Sequence, residues 1–205
     1  MRAADVAIVG GGVIGAAIAF ALARATRLRV VVIERGTPGC EASNAAAGLL
    51  AVASGQARGG ALFELRRRSA AMFPQLVETL EQQTGAPLGY RRGGLLSLAF
   101  SEAQAAALED LVQHRSAQGL RCEQLDRACV LATEPAVNAQ VCCGALFLDD
   151  AAIDSAQFVG ALVTAARQRG VEWRLQTSVQ SLRTEGRAVT LILETDHLEA
   201  GPARV

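Results

Sequence analysis

The chain has 205 residues, which is enough for one sizeable hydrophobic core or for one domain and part of another. Because 51% of the residues are hydrophobic and 20% are charged, the composition is that of a globular protein and excludes an intrinsically disordered one. Twenty basic residues balance twenty acidic ones, so charge gives no reason to expect nucleic acid or an anionic membrane as a partner.

The beginning of the chain predicts a strand, a tight turn, a helix and a second strand. The apolar run Asp5–Val9 is typical of a buried parallel strand, and the glycines Gly10–Gly12 require a turn. An alanine-rich helix is expected over Val13–Arg24, and the β-branched run Val30–Glu34 predicts the second strand. The apolar stretch is similar to a signal peptide or a membrane span, but the internal glycines and the following strand favour an α/β cofactor domain.

The later elements are predicted from capping residues and hydrophobic spacing. Ser43 or Asn44 is expected to cap a helix whose first turns are the following alanines, and a second helix is expected over 61–83, kinked or restarted at Pro74. Ser101 caps a predicted helix that ends at Gly119, and Asp154 or Ser155 caps another that ends at Gly170. Strands are expected within 86–100, from 141, and over 171–175, 178–182 and 188–193.

The cysteines and histidines predict no metal site. The five cysteines have no metal-binding spacing and no nearby histidine, so we expect small buried hydrophobic residues in a reducing compartment. His114 and His197 stand in polar surroundings, which favours solvated side chains.

The spacing Gly10-x-Gly12-x-x-Gly15 between the first strand and the first helix fits the dinucleotide-binding fingerprint. Gly10 provides the turn, Gly12 lets a pyrophosphate approach the backbone, and Gly15 lets the helix lie close to the sheet. The helix N-terminus offers N–H groups to the phosphates, and Glu34 at the end of the second strand can accept the hydroxyls of a ribose. The fingerprint alone leaves NAD and FAD open.

Three segments together resemble the FAD-dependent D-amino-acid oxidase family, and within it the glycine oxidase branch of thiamine biosynthesis. They are DVAIVGGGVIGAAIAFALAR, VVVIERG and EASNAAAGLLA, of which SNAAAGLL is the most specific. The resemblance implies that FAD is the cofactor. Besides the three fingerprint glycines, it implies cofactor-binding roles for Val13, Ile14, Glu34, Arg35, Ala42, Ser43, Ala47, Gly48, Leu49 and Val179.

The resemblance also implies the domain organisation. It predicts an α/β fold in which a Rossmann-like FAD-binding domain is joined to part of an α+β substrate domain. Residues 1–85 would form the first FAD-binding segment, 86–148 a partial substrate domain and 149–205 a second, truncated FAD-binding segment. The family's carboxylate-binding arginine and a later glycine-rich segment would lie beyond residue 205, so no catalytic residue is assigned. Arg91 and Arg92 are expected to be solvated.

The implied activity is oxidation of the amine of glycine or a small amino acid to an imine, which hydrolyses to a keto acid and ammonia while hydrogen peroxide is formed. The alternatives are another amine oxidase or dehydrogenase of the family, acting on a D-amino acid or sarcosine, a nicotinamide dehydrogenase, and a non-catalytic nucleotide-binding remnant. The expected partner is a small amino-acid substrate, with neither nucleic acid nor membrane. A cytoplasmic location is expected, and a homo-oligomer of the full-length enzyme is left open.

Overall fold

The computed structural model describes residues 4–55, 59–185, 188–195 and 203–204. They form two compact units, the first made of residues 1–47, 78–88 and 154–205 and the second of residues 48–77 and 89–153. The helices are α1 (Val13–Ala25), α2 (Ala42–Ala45), α3 (Gly60–Thr84), α4 (Glu102–Ala117), α5 (Arg127–Thr133) and α6 (Ser155–Gln168). The strands are β1 (Val6–Val9), β2 (Val30–Ile33), β3 (Leu49–Leu50), β4 (Leu95–Ala99), β5 (Cys122–Asp126), β6 (Cys143–Phe147), β7 (Ala151–Ala152), β8 (Glu172–Arg174), β9 (Thr177–Glu185), β10 (Ala188–Thr195) and β11 (Ala203–Arg204).

The first unit is built on a parallel sheet of order β1-β2-β8, with α1 connecting β1 to β2. All four residues of β2 are buried, as expected for a central parallel strand made of β-branched residues. Helix α1 packs against α6, and its residues Ala16, Ala19 and Phe20 are buried. A second, antiparallel sheet of order β11-β10-β9 packs against β2 through a small cluster that includes Val31, Ile33 and Leu191.

The second unit has the α+β form. Its antiparallel sheet has the order β4-β6-β5, and helices α4 and α5 pack against it. The core contains Ala53, Val112, Ala145 and Phe147, all buried. A short two-stranded pair, β3 with β7, joins Leu49 and Leu50 to Ala152 and Ala151.

The elements predicted with caps and strong strand propensity are confirmed. The strand–turn–helix–strand order at the beginning of the chain is present as β1, α1 and β2. Ser101 caps α4 by accepting from the Gln104 N–H, and Asp154 caps α6 by accepting from the Gln157 N–H. The predicted organisation into domains with cofactor and substrate roles stays a prediction, because the two compact units are divisions by packing alone.

One helix prediction is wrong. The alanines after Ser43 do not form a helix: α2 has only four residues and already contains Ser43, while Ala46 is extended. The reason is that the Ser43 hydroxyl accepts from the distant Val13 N–H and therefore does not cap a local helix. The helix predicted over 61–83 is confirmed as α3, which is continuous through Pro74 and so does not restart there. Whether Pro74 kinks it stays a prediction.

Strand β5 and helix α5 were not predicted, because both are short and lack a strong hydrophobic period. The expectation of buried cysteines is also wrong. Cys40, Cys129 and Cys142 are exposed, and Cys122 and Cys143 are half-buried. His114 is half-buried, and His197 lies outside the described residues. In the described part of the chain, no helix is both long and apolar enough to cross a membrane, and no cluster of His, Cys, Asp or Glu side chains has the arrangement of a metal site.

Candidate functional site

The first unit contains a cavity of about 410 Å³ at the carboxyl ends of β1 and β2. This end of a parallel sheet is where ligands bind in open α/β folds, and the volume is within the range of small-molecule sites, roughly 300–1,000 Å³. The lining comes from the turn after β1, the segment after β2 and the start of β9. It consists of Val9, Gly10, Gly12, Ile33, Glu34, Arg35, Thr37, Gly39, Cys40, Glu41, Ala42, Ser43, Thr177, Ser178 and Val179.

The glycines of the fingerprint have the geometry that the sequence predicted. Gly10 has a φ of +98°, which side chains rarely adopt, and its N–H donates to the Ile33 carbonyl at 2.8 Å. A Cβ at Gly15 would lie 2.0 Å from the Gly10 carbonyl oxygen and 3.3 Å from Cγ2 of Ile8. Residue 15 must therefore be glycine for α1 to pack this closely on β1.

The N-terminus of α1 faces the segment that follows β2. Gly12 is the N-cap residue, and a Cβ there would lie 3.2 Å from Oγ of Ser43. The Val13 N–H donates to the same Oγ at 2.9 Å, over a separation of 30 residues. The first N–H groups of a helix have no partner within the helix and favour anions, so this hydroxyl marks the position where a phosphate oxygen can be bound.

Glu34 is held by backbone groups on both sides. Its Oε2 accepts from the Gly11 N–H at 2.6 Å, and its Oε1 accepts from the Gly36 N–H at 2.8 Å. The Glu34 backbone is also fixed, since its N–H donates to the Arg174 carbonyl and its carbonyl accepts from the Thr177 N–H. A carboxylate has about four acceptor positions, so Glu34 keeps the capacity to accept the two hydroxyls of a ribose.

The outer part of the cavity carries an ion pair between Arg35 and Glu41. Nε of Arg35 donates to Oε1 of Glu41 at 3.0 Å, and both side chains are 68% exposed. A pair this exposed contributes little to stability. The role of Arg35 beside a cofactor stays a prediction.

The structure brings together seven of the predicted site residues in the lining of this cavity: Gly10, Gly12, Glu34, Arg35, Ala42, Ser43 and Val179. Val13, Ile14 and Gly15 form the adjoining first turn of α1, where Ile14 is 74% exposed. Ala47 is exposed at the end of the first unit, whereas Gly48 and Leu49 belong to the second unit. Their contacts with a cofactor stay predictions.

Sequence reasoning missed part of the lining. The loop residues Thr37, Gly39 and Cys40 lie between the predicted contacts at Arg35 and Ala42. Their place between these contacts could have indicated that they also line the cavity. Thr177 and Ser178 line the cavity at the start of β9, at the carboxyl edge where the neighbouring strand β8 ends. Gly11, the middle glycine of the turn, donates to Glu34 but was not singled out.

The second unit positions the residues after Leu50 with two buried charges. Asp150 is 1% exposed and accepts from the N–H groups of Val52, Ala53 and Ser54 at 2.7, 2.7 and 2.8 Å. Arg115 is fully buried and donates to the carbonyls of Ala53, at 2.8 Å, and Gly55, at 2.7 Å. The peptide groups on either side of Ala53 are thus bound by a carboxylate and by a guanidinium.

The first unit fits the ADP moiety of a dinucleotide. The turn at Gly10 and Gly12 leaves the backbone accessible, the start of α1 supplies N–H donors for phosphates, and the oriented Glu34 carboxylate supplies acceptors for a ribose. Arg91 and Arg92 in the second unit are exposed, as predicted. Arg92 contributes to a separate cavity of about 260 Å³ in that unit.

These features define the first unit as a dinucleotide-binding α/β domain. Residues 5–204 match the model of the family of FAD dependent oxidoreductases known as DAO. The chain belongs to this family, whose cofactor is FAD. The predicted resemblance, the predicted fold class and the choice of FAD over a nicotinamide cofactor are confirmed.

Glycine oxidases are among the similar proteins. The glycine oxidase of Geobacillus kaustophilus is 37% identical over 185 residues, which cover 88% of this chain and 48% of that protein. A crystal structure of glycine oxidase from Geobacillus kaustophilus matches with a TM-score of 0.90 at 34% identity, covering 94% of this chain and 52% of that one. The bifunctional protein ThiO/ThiG of a Synechocystis species is 33% identical over 92% of this chain and 27% of its own length. The chain spans about half the length of the glycine oxidases it matches.

Proposed function

We propose that this chain forms the ADP-binding part of a flavoenzyme that oxidises the amine of glycine or another small amino acid. The products would be a keto acid and ammonia, formed through an imine, and hydrogen peroxide. The observation that carries the proposal is the Glu34 carboxylate, which two backbone N–H groups orient beside the cavity at the carboxyl end of β2. The similarity to glycine oxidases supports the reaction class.

Each residue of the cavity has a distinct task in this proposal. Glu34 accepts the ribose hydroxyls, and its charge repels a 2′-phosphate. The α1 N-terminus and the Ser43 hydroxyl bind the pyrophosphate, while Val179 contacts the adenine through its backbone. When bound, FAD supplies the two-electron acceptor that no side chain provides.

The finer parts of the proposal rest on the sequence. Small residues at Ala47 and Gly48 would let the backbone approach the flavin ring, with Leu49 beside it. Glycine is favoured as the substrate by the relatives named glycine oxidase, and a place in thiamine biosynthesis is supported by the similarity to the ThiO/ThiG protein. The cytoplasmic location, the open question of a homo-oligomer and the lack of a nucleic-acid partner stay predictions.

The cofactor role of Glu34 is tested by equilibrium binding of FAD, ADP and NADH to the 205-residue chain. We expect FAD and ADP to bind and Glu34→Gln to weaken both by about 10- to 100-fold, because a hydrogen bond to a charged group is lost. Glu172→Gln is the matched control, since Glu172 is an exposed glutamate of β8 whose ion pair in the described part of the chain is with Arg174. Tighter binding of NADH than of FAD, or equal affinities in the two variants, would contradict the proposal.

The substrate class is tested by hydrogen peroxide release from FAD-loaded protein with glycine, sarcosine and D-alanine. Peroxide formation that depends on glycine supports the oxidase activity. The protein used must also carry the substrate-binding segments that the resemblance implies beyond residue 205, since this chain is proposed to form the ADP-binding part. If that protein binds FAD tightly but releases no peroxide with any of the amines, the non-catalytic alternative is favoured.

A further inference from the structure

Trp173 is the only tryptophan of the chain, and its position in β8 has an unusual feature. Its Nε1 atom is buried and has no hydrogen-bond partner among the described residues. Buried indole N–H groups usually have a partner, so the polar atom does not explain why tryptophan occupies this position. The explanation must lie in what the ring contacts.

The six-membered edge of the indole lies against the glycine turn. A Cβ built on Gly11 would stand 3.0 Å from Cζ3 of Trp173, 3.2 Å from Oε2 of Glu34 and 3.3 Å from Cβ of Glu34. The ring and the carboxylate therefore converge on the same point of the backbone. Gly11 is buried, and its N–H donates to Oε2 of Glu34 at 2.6 Å.

Two further contacts fix the indole itself. Trp173 pairs with Val32 in the parallel register of β8 and β2, directly before the strand end that carries Glu34. The guanidinium of Arg167 in α6 lies over the ring, 5.6 Å from its centroid. Because the ring is fixed by a strand and by a helix, its six-membered edge gives the Gly11 backbone a rigid surface to pack against.

We propose that Trp173 is a positioning residue of the dinucleotide site. Its indole holds the Gly11 backbone in place, and Gly11 in turn holds the Glu34 carboxylate in the geometry that accepts ribose hydroxyls. This inference rests on the proposed function, because it assigns the ribose to Glu34. Trp173 is not among the residues that line the cavity, so the proposed role acts through Gly11.

The test compares the affinities of the 205-residue chain for ADP and for 2′,3′-dideoxy-ADP, which lacks the ribose hydroxyls. We expect wild type to prefer ADP about tenfold, as for a hydrogen bond to a charged group, and Trp173→Phe to reduce the preference below about threefold. Because Nε1 has no partner in the described part of the chain, this variant removes none of the described hydrogen bonds. Phe20→Leu is the matched control: it alters another buried aromatic of the same unit, which stacks with Arg24 and Arg169, and should keep the preference.

The outcomes separate this inference from the proposed function. If wild type binds no ADP, the proposed function fails and the inference with it. If wild type prefers ADP and Trp173→Phe keeps the same preference, the inference alone is wrong. A purely structural role for Trp173 would weaken both ligands equally and leave their ratio unchanged.

A second pair of variants tests the contact directly. Gly11→Ala should weaken ADP binding, because the added methyl meets the ring edge and the carboxylate, and the shorter phenyl ring of Trp173→Phe should restore part of the loss. If the losses of ADP-binding free energy in the two single variants simply add up in the double variant, the contact between residue 11 and the ring is refuted. If these variants fail to fold, the fluorescence emission of Trp173 in the wild type is measured instead. We expect the emission to change on saturation with ADP and to change less with the dideoxy analogue. Equal changes with the two ligands would overturn the inference.

Discussion

Replacing Asp150 tests how the second unit fixes the residues after Leu50. The carboxylate is 1% exposed and accepts three consecutive backbone N–H groups, two at Oδ1 and one at Oδ2. Asp150→Ala removes all three acceptors. Asp150→Asn keeps one oxygen for Val52 and Ala53 but places an NH₂ group against the Ser54 N–H. We therefore expect both variants to destabilise the protein, the alanine variant more.

The magnitude follows from the number of buried donors left without a partner. Each such group costs about 1–3 kcal/mol, and removing one member of a buried charged network costs about 3–5 kcal/mol in total. For Asp150→Ala we expect a loss of about 4–5 kcal/mol in the free energy of unfolding. For Asp150→Asn, with one donor affected, we expect about 1–3 kcal/mol. Both are large against a total stability of about 5–15 kcal/mol.

The assay is urea unfolding followed by circular dichroism, together with hydrogen exchange of the Val52 and Ala53 amides. Glu64→Gln is the control, because Glu64 is a carboxylate of the same unit whose ion pair with Arg67 is exposed on both sides, 47% and 56%. That change should cost under about 1 kcal/mol. Equal stability of the Asp150→Asn and Glu64→Gln variants, with unchanged exchange at Val52 and Ala53, would refute the assigned role of the three hydrogen bonds.

Three further predictions concern the turn, the pH dependence and the thiols. Gly15→Ala should cost about 3 kcal/mol or more in urea unfolding, because its Cβ would lie 2.0 Å from the Gly10 carbonyl oxygen; a stable variant with native ADP affinity would contradict this. The backbone N–H of Arg29, with its guanidinium, lowers the pKa of Asp5, so this carboxylate stabilises the fold above its ordinary pKa and the contribution is lost as the pH falls through the lowered value. Asp5→Asn should therefore flatten the decline of the urea midpoint below about pH 4, and an unchanged decline would show that other groups cause it. Burial raises the pKa of the Cys122 thiol, so iodoacetamide should label it more slowly at neutral pH than the exposed Cys40 and Cys142, as read by peptide mass spectrometry; equal labelling would contradict this. Cys129 is no control, because its hydrogen bond with Asp126 raises the pKa of its thiol as well.

The sequence alone was sufficient to predict those helices and strands that are determined by residues close together in the chain. The β-branched run of β2, the glycines before α1 and the alanines within it each favour one conformation over a few residues, and together they predicted the position of Glu34. The caps of α4 and α6 were found for the same reason, since Ser101 and Asp154 bond N–H groups three residues away. The predicted α2 failed because the local preference of the alanines was overridden by a distant contact.

The interactions that orient the candidate site join residues far apart in the chain, and no local pattern predicts them. Trp173 was given no role in the sequence, although it adjoins the glycine turn across the sheet. Within the second unit, Asp150 was likewise given no role, and its three donors lie 96–98 positions earlier in the chain. A strand-end glutamate can be recognised by its position, but the groups that hold its carboxylate become visible only when the strands are placed in register.

The segment from Glu41 to Gly55 contains the SNAAAGLL motif that indicates the family. The sequence reveals this motif, but it does not predict the conformation of the segment. Within it, α2 has four residues and β3 only two, so regular structure contributes little to its shape. Its conformation is set by partners at long range: Ser43 bonds to Val13 in the first unit, and the amides after Leu50 bond to Asp150 in the second. The proposed flavin contacts of Ala47 and Gly48 would account for the small side chains of this segment, because a ligand could then approach the backbone. The preference of its alanines for helix does not decide its conformation, since Ala46 is extended.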